Sequence, residues 1–132
     1  IAAVAVVYRV SRLGGLRRGF RPQLDCFLTQ DPPAFTVIVD IAGVDPEHVS
    51  VSTAEGALVI SGERGRADCS GGTYQQMEIE YGSFQRVVQL PKDADASQAE
   101  ATYDKGLLRI VIPIAQRKAR PRPVPIQVRR DT

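Results

Sequence analysis

The chain has 132 residues, 43% hydrophobic and 24% charged, which is one globular domain's worth of sequence with enough apolar material for one core. Two Cys, one His and no Asn exclude a four-ligand zinc centre, a disulfide-stapled scaffold and N-glycosylation. No apolar run approaches the ~20 residues of a membrane span, and a net charge of +2 by itself points to no polyanion.

In chain order, residues 1–23 read as an arm. They carry five arginines (Arg9, Arg12, Arg17, Arg18, Arg21) and no acid. The first ten residues are ambiguous, because alanines favour helix while valines and Ile1 favour strand. Residues 24–114 read as the domain. Phe35, Val37, Val39 and Ile41 alternate with Thr36, Ile38, Asp40 and Ala42, the period-two pattern of a strand. Val49 and Val51 alternate with Ser50 and Ser52. Residues 57–61 are a short apolar run between Gly56 and Gly62. Residues 74–81 interleave Met77 and Ile79 with Gln76, Glu78 and Glu80, which predicts a further strand. Residues 84–90 end at Pro91, a strand stop. Residues 95–101 have helix character for one turn. Residues 99–104 and 107–112 flank Lys105-Gly106, a tight-turn signal. Asp31-Pro32-Pro33, Glu55-Gly56, Gly71-Gly72 and Tyr81-Gly82 supply turn chemistry between the runs. Short strands at near-regular spacing predict an all-β sandwich.

Residues 115–132 read as a tail. Three prolines in residues 119–125 predict an extended chain without internal hydrogen bonds. Ile126 and Val128 then point the same way. Burying each is worth roughly 1.5–3 kcal/mol, so the pair calls for a groove, on a neighbour or on its own domain. The tail holds six cations against Asp131, and the domain six cations against fourteen acids, so a body of net charge −8 lies between two arms of +5. That segregation serves solubility, or brings the arms against the acidic bodies of neighbouring copies. Tyr8 and Phe20 are the only aromatics in the arms and no reader motif is present, which argues against nucleic acid.

Catalytic chemistry is hard to find. His48 sits in Asp45-Pro46-Glu47-His48-Val49 with no Ser or Cys neighbour. Cys26 and Cys69 lack CxxC spacing and read as free thiols of a cytoplasmic protein. The acids match no calcium loop. Gly62-Glu63-Arg64-Gly65 and Gly71-Gly72 lack the ending of a phosphate loop. No catalytic residue, metal or cofactor is expected, and the reading turns from enzyme to binding.

Asp40-Ile41-Ala42-Gly43-Val44-Asp45, Gly56-Ala57-Leu58-Val59-Ile60-Ser61-Gly62-Glu63-Arg64, Tyr81-Gly82-Ser83-Phe84-Gln85-Arg86 and Ala101-Thr102-Tyr103-Asp104-Lys105-Gly106-Leu107-Leu108 follow one another in family-like register. In that order, with Ile126-Gln127-Val128 in the tail, the chain resembles a small heat-shock protein with an α-crystallin domain, of the bacterial and plant-type members. The resemblance implies an immunoglobulin-like β-sandwich that dimerises and assembles through its arms. It implies an ATP-independent holdase whose partners are copies of itself and partly unfolded client proteins. In such members a strand from a long loop is exchanged within the dimer. Here it would lie in residues 74–79, with Tyr74, Met77 and Ile79 at the interface and Arg86 paired to the partner's Glu78. Ile126 and Val128 would dock in a groove lined by Val49, Val51, Ala101 and Tyr103. Val7, Leu13, Leu16 and Phe20 are the arm's candidates for client binding. The chain departs from the family in having Lys105 where Asn is common, in Tyr103, and in an arm poor in aromatics. A non-catalytic docking or co-chaperone scaffold on the same sandwich is the alternative.

Overall fold

The computed structural model describes residues 19–115 and 123–130. Among these residues seven strands form two antiparallel sheets: β1 (Leu24–Thr29), β2 (Ala34–Asp40), β3 (Ser50–Ala54), β4 (Ala57–Arg64), β5 (Gly82–Gln89), β6 (Glu100–Asp104) and β7 (Leu107–Pro113). The four-stranded sheet runs β1-β2-β7-β6 and the three-stranded sheet β3-β4-β5. The all-β sandwich read from the sequence is the observed fold. No helix among the described residues is long and apolar enough to cross a membrane.

The alternation in β2 does what its period requires. Phe35, Val37, Val39 and Ile41 are buried and meet Leu58, Ile60, Val88, Leu108, Ile110 and Ile112 in one core. β2 and β7 are the inner strands of their sheet, paired from Ala34 opposite Pro113 to Asp40 opposite Leu107. Among the described residues, helical character is limited to two 3-10 turns, Pro46–His48 and Ala96–Gln98. Each is capped by an aspartate: Asp45 accepts from the Glu47 amide at 3.0 Å and Asp95 from the Ser97 amide at 3.2 Å. An Asp side chain that satisfies an otherwise unpaired N–H is a common start for such a turn.

Two-residue turns close the β3–β4 and β6–β7 hairpins, and both central residues of each have positive φ: Glu55 at 49° with Gly56 at 78°, and Lys105 at 52° with Gly106 at 87°. This is the geometry whose twist matches antiparallel strands. Gly106 is required twice over, since a Cβ there would stand 3.3 Å from the Ala42 Cβ. Lys105 is in a region where Asn is far better tolerated than Lys. Lys105→Asn is therefore expected to stabilise the domain by about 0.5–1 kcal/mol. A raised denaturation midpoint at unchanged slope would show it, and an unchanged midpoint would refute it.

Two elements differ from expectation. β1 is a full strand that the periodicity does not reveal. Residues 74–81, expected as a strand, form no ladder in the single chain, because among the described residues no strand lies alongside to supply hydrogen bonds. The packed unit also starts ahead of Leu24, with Phe20 and Pro22 buried.

Candidate functional site

Directly opposed residues of an antiparallel pair share a face. Ala101 lies opposite Ile110 and Tyr103 opposite Leu108, so both belong to the core face of β6. Val51 lies opposite Ile60, which puts it on the core face of β3. Yet Ala101, Tyr103 and Val51 are exposed and Val49 is half-buried. The cause is that β3 and β6 are edge strands, so the core side of each is covered incompletely. They stand on the same flank of the sandwich: on the other flank, β5 hydrogen-bonds through Arg86 to Pro22, immediately before β1. The four residues expected to line a groove are thus brought to one side as an apolar strip. The second edge of the wider sheet is open too. In β1, Cys26 opposes Val37 and Leu28 opposes Phe35 on the core face, and both are exposed, with Phe27 exposed on the outer face.

Arg86 lies in register with Ile60, which aims it at the core side of β5 between Phe84 and Val88. Its Nη1 donates to the Pro22 carbonyl at 2.6 Å. Burial, and secondarily the charge of Arg21, push its pKa down. Both causes disfavour the cation, and the only ion pair among the described residues is the exposed His48–Asp45 contact at 3.3 Å. Glu78 is held elsewhere, accepting from Gln76 Nε2. The single chain therefore does not bring Arg86 and Glu78 together. Tyr74, Met77 and Ile79 are exposed in the same stretch, Ile79 at 64%. The loop's far end turns on Asp68, which accepts from the Ser70 hydroxyl and amide. Those bonds hold its carboxyl below the usual range.

Arg64 is a positioning residue whose role nothing in the sequence signals. At the end of β4 its Nε donates to the Glu80 carbonyl at 2.9 Å and its Nη1 to the Ala42 carbonyl at 3.2 Å. Its guanidinium lies 3.6 Å from the centre of the Phe20 ring, a cation–π contact. One side chain thus ties the return of the long loop, the β2–β3 connection and the segment before β1. Arg64→Ala is expected to cost about 1–2 kcal/mol, with Arg64→Lys recovering only part, since an ammonium cannot reproduce the fork. A thermal scan checks this: it should show a drop of several degrees for the alanine variant, and a wild-type midpoint would remove the clamp.

Ile126 and Val128 are 88% and 76% exposed, so in the single chain the tail occupies no groove. Val7, Leu13 and Leu16 lie outside the described residues. Phe20 requires a correction. It is only 8% exposed and packs edge-on against Phe84 with ring centres 5.6 Å apart. A side chain used by the core and covered by Arg64 offers no surface to a client. Cys26 and Cys69 are free, exposed thiols. No group of three or more His, Cys, Asp and Glu placed to hold a metal ion occurs among the described residues.

Residues 28–129 match the Hsp20/alpha crystallin family. The chain is 34% identical over 106 residues to an alpha-crystallin of Mycobacterium bovis, covering 76% of this chain and 72% of that one. It is 33% identical over 104 residues to a chloroplastic heat shock 22 kDa protein of Chlamydomonas reinhardtii, covering 76% of this chain and 66% of the relative. A solved small heat-shock protein from Xylella fastidiosa superposes with a TM-score of 0.64 at 35% identity, covering 81% of this chain and 94% of the other.

Proposed function

The chain belongs to the Hsp20/alpha crystallin family, and from that membership we propose that it is an ATP-independent holdase, a chaperone that binds partly unfolded proteins and prevents their aggregation. One observation supports this above the rest: the sandwich leaves its apolar edges open while the same chain carries exposed segments suited to fill them. Residues 74–79 alternate in character and are unpaired in the single chain. β1 is a free edge with Phe27 and Leu28 exposed, and a strand supplied by a second copy would satisfy its unpaired N–H and C=O groups. The dimer so formed would bring a glutamate, Glu78, to an arginine, Arg86, that has no acidic partner among the described residues of its own chain.

Ile126 and Val128 then dock on the β3–β6 flank of another dimer, against Val49, Val51, Ala101 and Tyr103. Each such contact is weak and is repeated over many tails, so avidity holds the assembly while individual tails release. Release uncovers apolar surface, which is what an unfolded chain binds. No nucleotide is required, because the free energy for capture comes from burying client surface. Val7, Leu13 and Leu16 of the arm are part of that capture surface. The partners are other copies of this chain and unfolded clients, and the compartment is the cytoplasm, where exposed thiols such as Cys26 and Cys69 stay reduced.

The test is light scattering from a heat-aggregating enzyme such as citrate synthase, with and without this protein and with no nucleotide present. Suppression near stoichiometric subunit ratios supports the holdase. Full aggregation, with the fold intact by circular dichroism, would overturn it and favour a docking or co-chaperone scaffold on the same sandwich.

A further inference from the structure

Tail and flank carry opposite charges that apolar docking alone does not use, and an inference from them rests on the tail docking proposed above. The two segments bordering the β3–β6 flank, residues 45–55 and 93–104, hold seven carboxylates and no Lys or Arg. Glu100 and Asp104 occupy the two ends of β6, and Glu47 and Glu55 stand before and after β3; all four are exposed. Among the described residues only Asp45 has an ion-pair partner, His48. The nearby cations are Lys92, directly before Asp93, Lys105, in the turn directly after Asp104, and Arg109 in β7, which lies opposite Thr102.

The tail is the complement. Residues 115–130 hold six cations and no acid. Arg129 and Arg130 follow Val128 directly and are exposed. The lengths also agree. Ala101 and Tyr103 are two residues apart, as are Ile126 and Val128. From Glu100 to Asp104 an extended chain spans about 13 Å, and from Ile126 to Arg130 about the same. With the two apolar knobs seated on Ala101 and Tyr103, the arginine pair reaches one end of β6. A carboxylate stands at either end, Glu100 with no cation beside it in sequence and Asp104 with Lys105 next to it.

We infer that the tail of a neighbouring copy is held on this flank by charge as well as by its apolar knobs, with Arg129 and Arg130 against the carboxylates of the rim, so that ionic strength sets the size of the assembly. The occupant is a second copy rather than a client, because a client carries no fixed basic run beside its apolar residues. The pairs are exposed and individually weak, but a small change per tail is multiplied by the number of tails.

The experiment is mass by light scattering on the full chain, across a protein dilution series, at about 0.05 M and about 0.5 M NaCl, where the Debye length falls from about 14 Å to about 4 Å. The concentration for half-assembly should rise about tenfold with salt. Arg129→Glu with Arg130→Glu should produce the same shift at low salt. Mixing that variant with one carrying Glu100→Lys and Asp104→Lys should restore assembly. Salt-independent masses together with silent charge variants overturn the inference. A mass that stays dimeric under all conditions puts the tail on its own body and also overturns it. So does an unchanged mass with altered client capture, which would make the rim a client surface. Ile126→Ala with Val128→Ala separates the two claims. If that variant stays large, tail docking itself fails; if it shrinks while the charge variants do nothing, only the charge inference fails.

Discussion

Replacing Ile126 and Val128 together with alanine is expected to collapse large assemblies to dimers. Both side chains are almost fully in water in the single chain, so they contribute nothing to the sandwich itself. Whatever they contribute comes from docking. Burying them is worth roughly 1.5–3 kcal/mol each. Losing most of that weakens each tail contact by on the order of 100-fold, and avidity compounds the loss across the assembly. The thermal midpoint of the sandwich should stay where it is. Mass by light scattering reads the effect directly, and wild-type mass from the double variant would remove the tail from the assembly contacts.

The second large effect is expected at Arg86. Arg86→Ala removes the bond to the Pro22 carbonyl and, in the proposed exchanged dimer, would leave the partner's Glu78 without its cation. Breaking a buried pair from one side costs about 3–5 kcal/mol. Glu78→Gln separates the two contributions. Glu78 touches neither Pro22 nor the core, so its loss should weaken the dimer and spare the fold of the single chain. Sedimentation at a series of concentrations checks both variants. Arg86→Ala should raise the dimer dissociation constant most, with Glu78→Gln raising it by a smaller factor. A Glu78→Gln variant that dimerises like wild type would mean that Arg86 is satisfied by Pro22 and solvent alone, where a charge pair is worth at most about 1 kcal/mol.

Most of the sandwich is legible in the sequence because its inner strands carry a core face of period two, although Ala34 and Thr36 on the other face of β2 are buried too. In β2 and β7 every second side chain is apolar and goes to the core, and glycines with positive φ mark the hairpins. β1 is hidden for a definable reason. Leu24, Cys26 and Leu28 do keep period two, but Phe27 faces outward and masks the alternation. The stretch at residues 74–81 has a strand's pattern and no strand's partner: period reports which faces a segment would present, not whether a neighbour is there to pair with it. Family resemblance puts Val51, Ala101 and Tyr103 on one flank, and the register of β3 and β6 supplies the physical reason. Arg64 ends one of the family-like segments, but its role as a clamp leaves no sequence signal, since its partners are main-chain carbonyls and a ring remote in sequence. Phe20 reads with the arm because its neighbours are basic, and nothing local marks which arm residue enters the core. Charge patterning, by contrast, is readable in full, and only the fold could show that the acids cluster beside the apolar strip.

The proposed completion of the open sheet edges by other copies of the chain would place residues 74–79 in a ladder that the single chain lacks. Hydrogen exchange at the backbone amides of that segment, followed in the assembled protein, reads this without intermediaries. The expected result is strand-like protection, alternating along the segment and lost together with dimerisation on dilution or in Arg86→Ala. Fast exchange throughout residues 74–79, in a sample whose β2 and β7 amides are fully protected, would contradict it.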